Sequence, residues 1–267
     1  MTFENPSFWR AKMPLTGKIA LISTLAFMLV ALSANVHADD MVVNAENSLE
    51  WNQKEAFYHA IGNAAAFQGD QEIKAESLKA FYDPQTDERT ITRIIGNGNA
   101  SFADESHNGR GQKLDYDATS ATYLLMGPGA VISGPDGSGV AEKTIIFKRA
   151  SQIVELVKDA EIKLKDGRYL SAQEIIIYLD EADNILRISA AVDVTIIQAD
   201  GSTATASKAD YNRAADSALL TGNVVVKDGE TELAGDRAEV DFATGISKML
   251  SDKSGGRVSG RFTRLKE

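Results

Sequence analysis

The sequence predicts an all-β chain built as a stack of about 14 short antiparallel strands. Three observations carry this. The stretch 219–241, LLTGNVVVKDGETELAGDRAEVD, holds a β-prone run (Val224-Val225-Val226), an Asp228-Gly229 turn signal and a second extended run with an alternating tail at Ala238 and Val240. Variants of that stretch recur about seven times along the chain. The composition agrees: 21 Gly, five Pro and 43% hydrophobic residues suit many short strands joined by Gly turns.

The repeat is aligned on a small opening residue, at Ala45, Ala75, Gly111, Ala141, Ala172, Ala206 and Gly235. Periods of 20–50 residues mark stacked architectures. Most openers are followed, three and five residues on, by a pair that shares one strand face: Leu114/Tyr116, Thr144/Ile146, Ile175/Ile177, Ala209/Tyr211 and Ala238/Val240. Ala45 and Ala75 fit the pattern less well. An acid or Asn often follows (Asp83, Asp117, Asp180, Asn212, Asp241), a residue type that ends strands in turns.

A second strand follows in each unit, entered through Gly or Gly-Asn: IGNAAAF (61–67), GNASF (98–102), GAVIS (129–133), DAEIKL (159–164), VDVTII (192–197) and GNVVV (222–226). Alternation puts Ala100/Phe102, Ile162/Leu164, Val194/Ile196 and Val224/Val226 on the inward face. Return turns are expected at 69–70, 108–109, 136–137, 166–167, 200–201 and 228–229. The segment 151–166 also has an amphipathic helical pattern, which the repeat register overrides. Stacking seven units at about 4.8 Å gives a body about 34 Å long, with unpaired edge strands near 42–51 and 257–262.

Several function classes are excluded or disfavoured. With no cysteine, disulfides, thiolate metal sites and a Cys nucleophile are impossible. The three histidines (His37, His59, His107) are far apart, with surface positions expected for His59 and His107. No HExxH, GxSxG, P-loop or dinucleotide-binding motif is present, and the carboxylates fall at turn and solvent-face positions. No cofactor, no metal and no catalysis are expected. Net charge is −10, which suits neither nucleic acid nor an anionic membrane surface.

Residues 1–38 read as a secretory signal peptide: Arg10, Lys12 and Lys18, then the apolar run 19–34, then Val36-His37-Ala38 before Asp39-Asp40. The alternative is a retained membrane anchor. Loss of this leader, net +2, leaves −12 on residues 39–267, which are read as one domain.

The units 222–245 and 95–127 resemble the LptA/OstA family of periplasmic lipopolysaccharide-export proteins. The marks are GNV with a short β-run, a turn, a small residue and a charge, and a tail ending in Tyr-Asp or Val-Asp. The resemblance extends over nearly all of 41–262. It implies an elongated twisted antiparallel β-jellyroll (OstA/LptA-like) of about 14–16 strands, located in the periplasm. The apolar interior would hold the acyl chains of lipopolysaccharide (lipid A) and pass the lipid from the inner to the outer membrane. The edge strands would join an LptC-like inner-membrane protein, an LptD-like outer-membrane protein, or a second copy end to end. Strand parity names the lining: Phe102, Leu114, Tyr116, Ile146, Ile162, Leu164, Ile175, Ile177, Val194, Ile196, Val224, Val226 and Val240. The basic tail (Arg257, Arg261, Arg264, Lys266) is read as a solvated terminus. Two other readings stay open: an edge-pairing adaptor without lipid, soluble or LptC-like and membrane-anchored, and a β-solenoid carbohydrate enzyme.

Overall fold

A computed structural model describes residues 41–86, 89–251 and 257–262. The expected signal peptide, His37, and Arg264 and Lys266 of the basic tail lie outside the described residues. In chain order the strands are β1 (Val42–Asn44), β2 (Ser48–Asn52), β3 (Phe57–Gln68), β4 (Gln71–Tyr82), β5 (Ile91–Ala103), β6 (Asn108–Asp117), β7 (Thr122–Met126), β8 (Ala130–Gly134), β9 (Gly137–Ala141), β10 (Thr144–Lys148), β11 (Ile153–Leu164), β12 (Tyr169–Leu179), β13 (Ile185–Ile197), β14 (Thr203–Asn212), β15 (Ser217–Asp228), β16 (Thr231–Asp241), β17 (Ile246–Leu250) and β18 (Ser259–Arg261). Every pairing among them is antiparallel. The segment with the helical pattern is strand β11, entered from a 3-10 turn at Arg149–Ser151.

The strands form two ladders joined along a corner. Ten long strands run through both ladders, and four levels are broken into two strands each: β1/β2, β7/β8, β9/β10 and β17/β18. Among the described residues the eighteen strands therefore make fourteen tiers. One ladder runs from β2 through β7 and β10 to β17, the other from β1 through β8 and β9 to β18. Because each tier spans both ladders, the stack contains fourteen levels rather than seven. At about 4.8 Å each this gives roughly 67 Å, twice the sequence expectation.

The corner has a consistent cause. Where long strands meet, one advances four residues while its partner advances three; in β3 and β4, Ile61 pairs Ser77 and Ala65 pairs Lys74. The longer side holds two consecutive residues at positive φ: Gly62-Asn63, Gly98-Asn99, Lys158-Asp159, Val192-Asp193 and Gly222-Asn223. These are β-bulges that bend each strand from one ladder into the other. The Gly-Asn pairs thus sit in mid-strand and do not open new strands. Asn side chains hold the corner from outside: Asn63 Nδ2 donates to Glu46 and Asn99 Nδ2 to Glu76, each at 2.8 Å.

The acids and Asn that follow the paired residues do end strands. The Oδ1 atoms of Asp83, Asp117, Asp180, Asn212 and Asp241 each accept a backbone N–H two or three residues on. The other row of turns departs from the sequence expectation at three places. Asn108-Gly109 opens β6, and the turn before it is made by Asp104, whose Oδ1 accepts from the Ser106 and His107 amides. The turn between β8 and β9 centres on Pro135-Asp136, and that between β15 and β16 on Gly229-Glu230, one residue from the expected Asp-Gly positions.

Apolar side chains from both ladders face each other in one continuous core from Ala60 to Val240. At the level of β5–β7 and β10 it is filled by stacked rings: Phe102 on Tyr123 (centroids 4.2 Å apart), Tyr123 on Tyr116 (4.4 Å), and Phe147 6.0 Å from both Phe102 and Tyr123. Stacked pairs at such spacing add about 0.5–1.5 kcal/mol each beyond burial.

Candidate interior lipid site

Ten of the thirteen residues named as lining are buried between the ladders: Phe102, Leu114, Tyr116, Ile162, Ile175, Ile177, Val194, Val224, Val226 and Val240. Leu164 and Ile196 are half-buried and pack against the same core. Ile146 is a correction. It shares its face with Leu124 and Glu155, while its neighbours Ile145 and Phe147 are the buried ones. The cause is a missing bulge. From Val140 to Thr144 the chain advances four residues against four of β11, where strands opening elsewhere advance three against four. The extra residue reverses the parity of β10.

Opposite the corner, the free ends of the two ladders are rows of turns that form two lips. One lip carries the turns at 148–153, 179–185 and 212–217, the other those at 103–108, 134–137 and 164–169. Polar clasps bridge them. Arg149 Nη1 lies 3.5 Å from Asp104 Oδ2, 3.3 Å from Asp183 and 3.2 Å from His107 Nδ1. Arg213 pairs with Asp136, which also accepts the Ile185 amide at 2.7 Å. Arg168 reaches Asp216 across the gap at 3.1 Å.

His107 is buried, against the surface position expected for it. Its ring packs 4.7 Å from Phe147. Burial pushes its pKa below the ordinary imidazole value, while Asp183 and Asp104 work in the opposite direction. The Asp104 carboxylate is buried too, so it is neither solvent-facing nor merely a turn former. Among the described residues, no group of three or more His, Asp and Glu is placed to hold a metal ion.

The apolar interior reaches the surface along these lips. One crevice is lined by Ile132, Val154, Ile162, Ile177, Leu179 and Ile185, with His107 and Asp183 at its rim. A second, of about 470 Å³ including its open mouth, is lined almost wholly by apolar side chains, among them Ile162, Leu164, Leu170, Ile188, Ile196 and Phe242. Ile162, Leu164, Ile177 and Ile196 of the expected lining thus border open space. Sequence parity missed Leu170, Ile188 and Phe242, although Leu170 and Ile188 lie one register step from named residues (Leu170 faces Ile196, Ile188 faces Ile177). The clasp arginines carried no local signal, because their carboxylate partners outside their own turns lie 34 to 77 residues away.

Among the described residues the stack ends in strands paired on one side. β1 and β2 pair with β3, and β17 and β18 pair with β16. The expected N-terminal edge is present. The C-terminal edge includes β17 as well as the 257–262 segment. Large apolar side chains stand exposed at both: Val42, Leu49 and Trp51 at one, Ile246, Val258 and Phe262 at the other.

Residues 42–152 match the family model described as LptA/(LptD N-terminal domain) LPS transport protein. No curated protein matches the chain. Among solved structures, the crystal structure of LptH, the LptA-homologous periplasmic component of the lipopolysaccharide transport device of Pseudomonas aeruginosa, is similar with a TM-score of 0.40 and 17% identity. The similarity covers 45% of this chain and 82% of that chain.

Proposed function

We propose that this chain takes part in lipopolysaccharide transport as a lipid-carrying bridge. It holds acyl chains in the apolar space between its ladders while the sugars stay in water, and passes the lipid from the inner to the outer membrane. The observation that carries the reading is an apolar interior that opens to the surface along one seam between two lips of turns. The family match over 42–152 supports lipopolysaccharide as the cargo. Each buried CH₂ is worth about 0.8 kcal/mol, so several acyl chains do not cross water unaided, and a lined trough lowers that cost without chemistry.

In this reading residues 1–38 direct export to the periplasm and are removed there. Residues 39–267 act as one body that needs neither cofactor nor catalytic group. The β1/β2 and β17/β18 edges take an LptC-like inner-membrane protein and an LptD-like outer-membrane protein, or a second copy, by strand addition. These unpaired edges also favour a second reading, an edge-pairing adaptor that carries no lipid.

Site-specific photo-crosslinking to lipopolysaccharide separates the two. A photoreactive residue replaces Ile177, which lines the seam crevice, or Ile176, which shares β12 but points to the other face. Adducts at 177 alone are expected. A folded protein with adducts at neither position overturns carriage and leaves the adaptor.

A further inference from the structure

One charged side chain lines the second crevice. Arg168, in the turn between β11 and β12, lies with its guanidinium carbon 5.0 Å from the Tyr211 ring centroid and 5.1 Å from that of Phe242. Both rings border the crevice. The guanidinium is held from two directions. Its Nε donates to Asp166 of its own turn at 2.8 Å, and its Nη1 donates to Asp216 on the opposite lip at 3.1 Å. Tyr211 adds a hydrogen bond to the same Asp216 oxygen at 3.0 Å and accepts one from Arg168 at 3.3 Å.

We propose that this place is the port through which an acyl chain of a phosphorylated lipid enters, with Arg168 exchanging the Asp216 carboxylate for the lipid's phosphate. The proposal rests on the carriage reading and deepens it. The occupant follows from the lining. Below Arg168 the walls are Leu164, Leu170, Ile188, Ile196, Ala209 and Ala218, with no charged group, so the space takes hydrocarbon. At the mouth stands a planar five-donor cation, which pairs with carboxylate and phosphate through the same fork geometry. The phosphate carries at least the charge of the carboxylate it displaces, so the cation stays paired. Burial works against the cation, but its bonds to Asp166 and Tyr211 outweigh this and hold it charged at every physiological pH. Asp166, reached by both Nε at 2.8 Å and Nη2 at 2.6 Å, keeps the side chain in place, while Asp216, which Arg168 reaches through Nη1 alone, lets go.

Equilibrium binding of fluorescently labelled lipid A tests this, using bis-phosphorylated lipid A and the same lipid with both phosphates removed. Asp216→Asn removes the competing carboxylate and is expected to raise affinity for the phosphorylated lipid several-fold, leaving the dephosphorylated lipid unchanged. Arg168→Gln is expected to lower affinity for the phosphorylated lipid roughly tenfold, as loss of a charge-assisted bidentate pair does, again with the dephosphorylated lipid unchanged. Retained binding of the dephosphorylated lipid shows that each variant is folded. If both variants bind both lipids as the parent protein does, the port is overturned and carriage stands. If the folded parent binds neither lipid, carriage fails and the port with it.

Discussion

Gly109→Ala tests the packing of the ring cluster directly. Gly109 lies in β6 outside the positive-φ region, so alanine meets no backbone strain there. Its Cβ, however, would stand 2.4 Å from Phe102 Cε1 and 2.7 Å from Leu125 Cδ1. Neither neighbour can retreat easily. Phe102 is 2% exposed and stacked on Tyr123, and Leu125 is fully buried. Overpacking of this kind costs about 1–3 kcal/mol. Loss of the glycine's unfolded-state entropy returns about 0.4–1 kcal/mol. The net expectation is a loss of about 1–2 kcal/mol, or a Tm lower by roughly 2–8 °C. Urea unfolding followed by circular dichroism reads it, with an unchanged m-value. Adding Phe102→Leu removes the clashing ring edge. The double variant should therefore be more stable than the sum of the two single losses by at least about 1 kcal/mol. Additive losses, or a neutral Gly109→Ala, would refute the placement of Phe102 against β6.

Three further outcomes are expected. Ile145→Ala should cost about 2–4 kcal/mol and Ile146→Ala under about 1 kcal/mol in the same unfolding assay; the reverse order would mean that β10 has the parity read from the repeat. Val192→Gly should raise the Tm by about 2–4 °C, because Val192 is exposed and holds φ at 67°, where a β-branched side chain is strained; a lower Tm would deny the bulge. Backbone hydrogen bonds hold the carboxyls of Asp117, Asp180 and Asp200 below their ordinary pKa, so their stabilisation is full above about pH 4 and is lost as pH falls through the folded values. A triple Asp→Asn variant should show a shallower fall of Tm between pH 5 and 2, and an unchanged slope would count against these bonds.

Strand parity was legible wherever the unit kept its length. Leu114 with Tyr116 and Ile175 with Ile177 follow from the small opener and the three-residue step, since the step already contains the compensation for the bulge on the partner strand. Ile146 was misplaced because β9 and β10 lack that compensation, and one residue reverses every side chain that follows. The corners were half legible. Gly-Asn at 62–63, 98–99 and 222–223 signals positive φ, whereas Lys158-Asp159 and Val192-Asp193 adopt it with nothing local to announce it. The bends there are imposed by the neighbouring tiers. The clasps were not legible at all. His107 and Asp104 look like ordinary turn residues until β10 and the 179–185 turn bring Arg149 and Asp183 beside them.

The number of tiers has a directional consequence. The first tier runs from β1 to β2, crossing the corner in one sense, and the last runs from β17 to β18 in the opposite sense. Alternation makes this so because fourteen is even. A second stack of the same construction, laid end to end with its ladders in phase, would therefore present its first tier antiparallel to this last one in both ladders at once. With thirteen or fifteen tiers the same contact would be parallel, and the uniform hydrogen-bond pattern of the stack would break at the joint. Growth or shortening by whole hairpins, two tiers at a time, conserves the match, so the length of such a chain can vary while its two ends stay compatible.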